Sequence, residues 1–372
     1  MHKVLCFLDK HRSKYDWFLT YLVVCIIHVI FIRFYAKSFN LHNILRHPIK
    51  IIPSYLFFGW DSAWYKNLFY KYDSLIFPPM YPLTLRLIAF LFQFKQMAFE
   101  KSAVILNFVS HILIVNGLYL YCKKLSGKQV QAWIVVLILF FYPGHNVFFA
   151  AYSDSFFLAV TIFVFVLRQN NKLLLSSILA GFACLIRTFA MFLCFALIAE
   201  QIFLSIKDKK IRVKELMLVS PGFLIFLFWN LYIYLITHNN ITALYEKWTA
   251  DLLSYHIPAG TNPQWWSFKY LFISMHKECI YTWFSIIGAI YLGIRKRYLE
   301  MFYILLFYFS LAFYIYRPFA FSRYVAAFFP CFLIIAEILR NRPRLQITVL
   351  SSFIVISYYF QIRLFLGFLG EP

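Results

Sequence analysis

The chain has 372 residues, 62% of them hydrophobic and only 14% charged, with 36 Lys and Arg against 15 Asp and Glu for a net charge of +21. Its mean hydropathy of +0.71 excludes a water-soluble domain of this length. The basic excess flanks apolar runs and comes with no zinc finger, recognition-helix pattern or RNA-binding aromatic signature, so membrane orientation accounts for it and nucleic acid is not an expected partner.

Apolar runs recur from end to end and are continuous rather than alternating, which in lipid selects helices over a closed barrel. The first, 17–36, is too long for a signal-peptide core and lacks a small-residue cleavage site after it, so it reads as a retained anchor. Further helices are expected at 102–121, 130–142, 155–167, 173–184, 188–204, 216–236, 278–294, 299–316, 324–339 and 345–366. That makes an all-α polytopic protein of about eleven spans.

The apolar stretch 81–94 decides the topology. A full crossing there would put the basic segment 122–129 on the opposite side from the N-terminus, against the positive-inside rule. If it is re-entrant or interfacial, segments 1–16, 122–129, 168–172, 205–215, 295–298 and 340–344 share the cytoplasmic side and hold 20 Lys/Arg in 49 residues. The opposite segments 37–101, 143–154, 237–277 and 317–323 hold 13 in 125. The second arrangement is expected. It leaves large extracytoplasmic loops at 37–101, bearing interfacial segments, and at 237–277, the sizes at which loops carry chemistry. No fixed-period repeat or linker divides the chain, so 1–372 is read as one domain.

Carboxylates near a membrane boundary are informative because burying one is costly without a partner or a task. Asp61 lies in the aromatic stretch Phe57-Phe58-Gly59-Trp60-Asp61-Ser62-Ala63-Trp64-Tyr65; the plain reading is an interfacial Asp in an aromatic belt, the functional one a carboxylate aimed into a cavity. Asp154, in Ala151-Tyr152-Ser153-Asp154-Ser155, stands where a helix begins, and either it or Ser153 is a candidate N-cap. Arg187 sits between two apolar runs with no neighbouring charge to mark a cytoplasmic turn. Arg323, in Phe319-Ala320-Phe321-Ser322-Arg323-Tyr324, reads equally as a bidentate phosphate clamp or as a snorkelling side chain.

The seven cysteines, scattered through apolar runs without CxxC spacing, read as core residues, and the histidines lack ligand spacing, so no metal site and no cofactor are expected. No GxxxxGK[ST], GxSxG, HExxH or GxGxxG motif in its proper setting occurs.

Five segments together form a recognisable order: Trp60-Asp61-Ser62-x-Trp64-Tyr65; Phe77-Pro78-Pro79-Met80-Tyr81-Pro82-Leu83 with Arg86; Tyr152-Ser153-Asp154-Ser155; Leu179-Ala180-Gly181-x-Ala183-x-Leu185-x-Arg187; and Ser322-Arg323-Tyr324 with Phe329-Pro330. The set resembles the PIG-V family of mannosyltransferases and its bacterial relatives, within the GT-C superfamily. The departures are Pro79-Met80 where Pro-Leu is usual, Asp154 where Glu is usual, and Thr188 after Arg187 where Pro is common.

The resemblance implies a GT-C-type helical bundle that transfers a hexose, mannose in known members, from a polyprenyl-phosphate carrier to a glycolipid, polymer or protein acceptor on the extracytoplasmic or lumenal face. It implies Asp61 as general base, with Asp154 orienting a substrate, Arg187 and Arg323 facing the phosphate, and Trp60, Trp64 and Tyr65 offering faces to the sugar. Arg86, Tyr152 and Tyr324 join the substrate-binding set. The compact loops favour a bacterial inner membrane over the ER. A transporter or flippase of lipid-linked sugars is the alternative, although no inverted repeat accompanies the helices.

Overall fold

The computed structural model describes residues 21–26, 61–71, 75, 77–126, 130–142, 148, 150–239, 272–273, 277–310, 326–339 and 342–365. Among the described residues every regular element is helical: α1 (Asp61–Tyr70), α2 (Met80–Leu91), α3 (Ala98–Ser126), α4 (Val130–Phe141), α5 (Asp154–Gln169), α6 (Leu173–Cys184), α7 (Met191–Lys207), α8 (Val213–Thr237), α9 (Lys277–Ile294), α10 (Tyr298–Ser310), α11 (Phe332–Leu339) and α12 (Pro343–Phe365). Short 3-10 turns occupy Thr188–Ala190 and Ala326–Cys331.

Three helices among the described residues are long and apolar enough to cross a bilayer by themselves, Ala98–Lys124, Thr188–Lys207 and Val213–Thr237, and the chain is an integral membrane protein. Of the eleven expected crossings, the others that are described correspond chiefly to shorter apolar helices. α2 has 12 residues and reaches about 18 Å at 1.5 Å per residue, short of a straight crossing.

Helix ends follow charge and proline. α3 begins before the expected 102 and runs past 121, with Glu100 in its first turn and Lys123 and Lys124 in its last. Those signs complement the helix dipole, so the charges extend the helix instead of stopping it. The apolar run expected to start a helix at 188 opens as a 3-10 turn, because Arg187 is extended at φ −145°, ψ 129°.

The chain forms two compact units. The first draws on Met1–Tyr70, Leu85–Ile162 and Ile335–Pro372. Within it α3 packs on α4, and α4 on α12. α1 is pinned near the start of α3 by the Lys66–Glu100 ion pair at 2.7 Å and by the Phe69 and Phe99 rings at 5.8 Å.

The second unit draws on Lys71–Thr84 and Phe163–Ile334, and its tightest joint is α6 on α8. In lipid, helices associate through close van der Waals approach rather than hydrophobic exclusion, which favours small residues four apart. Ser177 and Gly181 have that spacing and face Gly222: a Cβ on Gly222 would lie 2.1 Å from the Ser177 carbonyl oxygen, and one on Gly181 2.8 Å from the Gly222 carbonyl oxygen.

Pro221 interrupts α8 at this joint. Lacking an N–H, it cannot donate to the carbonyl four residues back; that carbonyl, Met217, accepts instead from Ser220 Oγ at 2.9 Å. Ser177 Oγ donates to the Val219 carbonyl at 2.6 Å and accepts from the Gly222 N–H at 2.8 Å. The opposite face of α8, including Phe228, Leu231 and Leu235, is exposed and apolar, as a lipid-facing stripe must be.

Candidate functional site

The acidic turn is built from the start of α5. The Phe157 N–H donates to the Ser153 carbonyl at 2.8 Å, which makes Ser153 the N-cap and Asp154 the first helical residue. Asp154 is only 6% exposed, at the positive end of the helix dipole. Tyr152, Ser153 and Ser155 around it are buried.

Four polar side chains fix this turn. Asn107 Nδ2 donates to the Ala150 carbonyl at 2.7 Å. His111 Nε2 lies 2.9 Å from the Phe148 carbonyl, which also accepts from Ser155 Oγ at 2.7 Å. Tyr65 supplies the fourth contact, its hydroxyl 2.8 Å from Ser153 Oγ. Asn107 and His111 stand one helical turn apart on α3, so a single helix face clamps the segment leading into Asp154.

The Tyr65 contact joins two of the sequence motifs. Asp61 and Tyr65 are four residues apart in α1, on one face of that helix. Tyr65, 4% exposed, thereby ties the Asp61 helix to the residue preceding Asp154. Its hydroxyl braces the two acidic segments. Trp64, at 47% exposure, keeps an accessible surface. Arg86, expected among the substrate contacts, donates from Nε to the Phe69 carbonyl at 2.6 Å and from an Nη to Leu68 at 3.0 Å, capping the end of α1 and holding that helix in place.

Arg187 belongs to the second unit. Its turn is made by backbone: Leu185 N–H to Phe182, Ile186 and Arg187 N–H to Ala183, and Ala190 N–H to Arg187, all between 2.9 and 3.0 Å. The Met80 N–H donates to the Leu185 carbonyl at 2.8 Å, so the Phe77-Pro78-Pro79-Met80 motif meets the Arg187 motif directly. Leu75 and Leu185 pack together on Trp229 and Ile233 of α8. Arg187 itself is 9% exposed. Phe329, from the last motif, packs its ring 5.6 Å from Phe165.

The structure thus pairs four motifs two by two, the Asp61 segment with the Asp154 turn in one unit and the proline segment with the Arg187 turn in the other. Trp60, Arg323, Tyr324, the Asp61 side chain and most of 237–277 lie outside the described residues. Asn107 and the contact made by His111 went unread in the sequence, since both reach carbonyls 37 to 43 positions away.

Comparison with known proteins gives a partial likeness. No family model matches the chain, and no solved structure matches it. A stretch of 108 residues is 29% identical to GPI mannosyltransferase 2 of Drosophila pseudoobscura pseudoobscura, covering 26% of this chain and 24% of that protein.

Proposed function

We propose that this protein is a membrane glycosyltransferase that moves a hexose, mannose first among candidates, from a polyprenyl-phosphate carrier to an acceptor hydroxyl. The observation that carries this reading is the Tyr65–Ser153 hydrogen bond, which links the helix of Asp61 to the turn of Asp154. Two carboxylate positions held through one buried contact suit a reaction that must both take a proton and orient a polyol. The partial likeness to a mannosyltransferase supports the same class.

An acceptor hydroxyl is a weak nucleophile, so a base must take its proton as the C1 carbon is attacked. In this proposal Asp61 takes that proton, the acceptor oxygen bonds to C1, and the C1–O bond to phosphate breaks with inversion. The polyprenyl phosphate leaves with its growing negative charge met by Arg187 and Arg323, fixed donors of the kind such a leaving group requires. Asp154 holds sugar hydroxyls, and Trp60 and Trp64 lie along the pyranose face.

The test is product stereochemistry. The purified protein, given polyprenyl-phosphate-mannose and a panel of glycolipid, polymer and peptide acceptors, is expected to form a mannoside of anomeric configuration opposite to the donor. Retained configuration contradicts the single displacement. Carriage of the intact lipid-linked sugar across a vesicle bilayer, without transfer, establishes the transporter reading instead.

A further inference from the structure

Away from the acidic and Arg187 turns, two loops of the second unit come together into a basic surface. The end of α7, the loop after it and the first turn of α8 carry Lys207, Lys209, Lys210, Arg212 and Lys214, and the loop after α9 carries Arg295 and Lys296. Lys207 Nζ donates to Tyr298 Oη at 3.1 Å and the Phe203 and Tyr298 rings lie 4.6 Å apart, which fixes one loop beside the other. Asp208 is paired with Arg212. Lys209, Lys210, Lys214 and Lys296 are exposed and make no ion pair among the described residues.

Two features point to the partner. The charges are interleaved with the exposed apolar side chains Ile206, Ile211, Val213, Met217 and Ile294, so the surface offers ammonium groups beside chains that seek hydrocarbon. A soluble anion has no use for the second component; a phospholipid uses both. The first loop also bends around a cavity of about 490 Å³ lined by Lys210, Arg212 and Lys214 with Asp208 and Glu215.

The backbone adds a third. Lys209 and Lys296 adopt left-handed conformations, φ 51° and 61°, at helix ends where glycine avoids the steric cost. A lysine there sets its stem at the tip of the turn.

We infer that these two loops form a binding site for the headgroup of an anionic phospholipid, on the side that the distribution of positive charge assigns to the cytoplasm. The ammonium groups meet the headgroup phosphate and the flanking isoleucines meet its acyl chains. The inference is independent of the proposed chemistry and holds for an enzyme or a transporter alike.

The test uses the full-length protein in neutral detergent with tail-labelled phosphatidylglycerol and phosphatidylcholine. Phosphatidylglycerol is expected to bind about tenfold more tightly. A variant carrying Lys209→Gly, Lys210→Gln and Lys296→Gly is expected to reduce that preference to about twofold while unfolding at the same or a higher temperature, since glycine fits both left-handed turns. If the triple variant does not fold, Lys210→Gln alone is expected to lower binding about threefold. Equal binding of the two lipids, or full preference in a folded variant, overturns the inference. Displacement by inorganic phosphate at matched ionic strength overturns the lipid source as well and assigns a free-phosphate site.

Discussion

The Asp154 turn and the Arg187 turn are both buried and both begin a helical segment, yet they are held by different physics. Side chains hold the first: Asn107, His111, Ser155 and Tyr65 each bond to a loop carbonyl or hydroxyl. Main-chain hydrogen bonds and close approach hold the second, from Met80 to Leu185 and where Gly181 and Gly222 let α6 meet α8. A turn fixed by polar side chains is sensitive to deletion of an atom, and a turn fixed by close packing to addition of one.

The largest effect is expected in the packed turn. Gly222→Ala sets a methyl 2.1 Å from the Ser177 carbonyl oxygen and should destabilise the protein by about 3 kcal/mol, read as a lower unfolding temperature in detergent. Next comes Asn107→Ala, which removes the side-chain donor to the buried Ala150 carbonyl and leaves it only the Tyr152 N–H at 2.7 Å, and should cost about 1.5 kcal/mol. Transfer should fall with it, since the Asp154 turn loses an anchor; unchanged stability in both variants would erase the distinction between the turns.

Smaller changes sharpen the comparison. Tyr65→Phe keeps the ring and removes only the hydroxyl facing Ser153, so about 1 kcal/mol of stability should go, with a drop in kcat that exceeds any change in KM. A pure KM effect would mean that Tyr65 contacts substrate instead of bracing the two acidic segments. Lys66→Met tests the floor, because an ion pair with a side chain 47% exposed should contribute no more than about 0.5 kcal/mol.

Much of the helical layout was legible in hydropathy. The element at 173–184 has the expected ends, and 277–294 and 213–237 differ by a residue or a few from their expected ranges. Charged ends were misread, as at α3, because a Lys or Glu that ends an apolar run can still extend a helix. The α6–α8 joint also left a mark in the sequence, the Ser177-x-x-x-Gly181 spacing and the Pro221-Gly222 pair. Reading it required the partner helix.

The candidate site divides along the same line. Asp61, Asp154 and Arg187 stand out because charge is rare in so apolar a chain, whereas Asn107 looks like any polar residue in α3 until the fold sets it against Ala150. Tyr65 and Arg86 were legible as members of motifs, whereas the hydroxyl bonded to Ser153 and the guanidinium on helix-end carbonyls are known only from geometry.

The most direct test is transfer of radiolabelled mannose from polyprenyl-phosphate-mannose by the purified protein, wild type beside Asp61→Asn, with unfolding temperatures measured on both. The expected result is transfer by the wild type and a loss of about 10³-fold in the variant at unchanged stability, the scale on which a general base acts. Full activity in Asp61→Asn, or no transfer by the wild type from mannose, glucose or arabinose carriers, would contradict it.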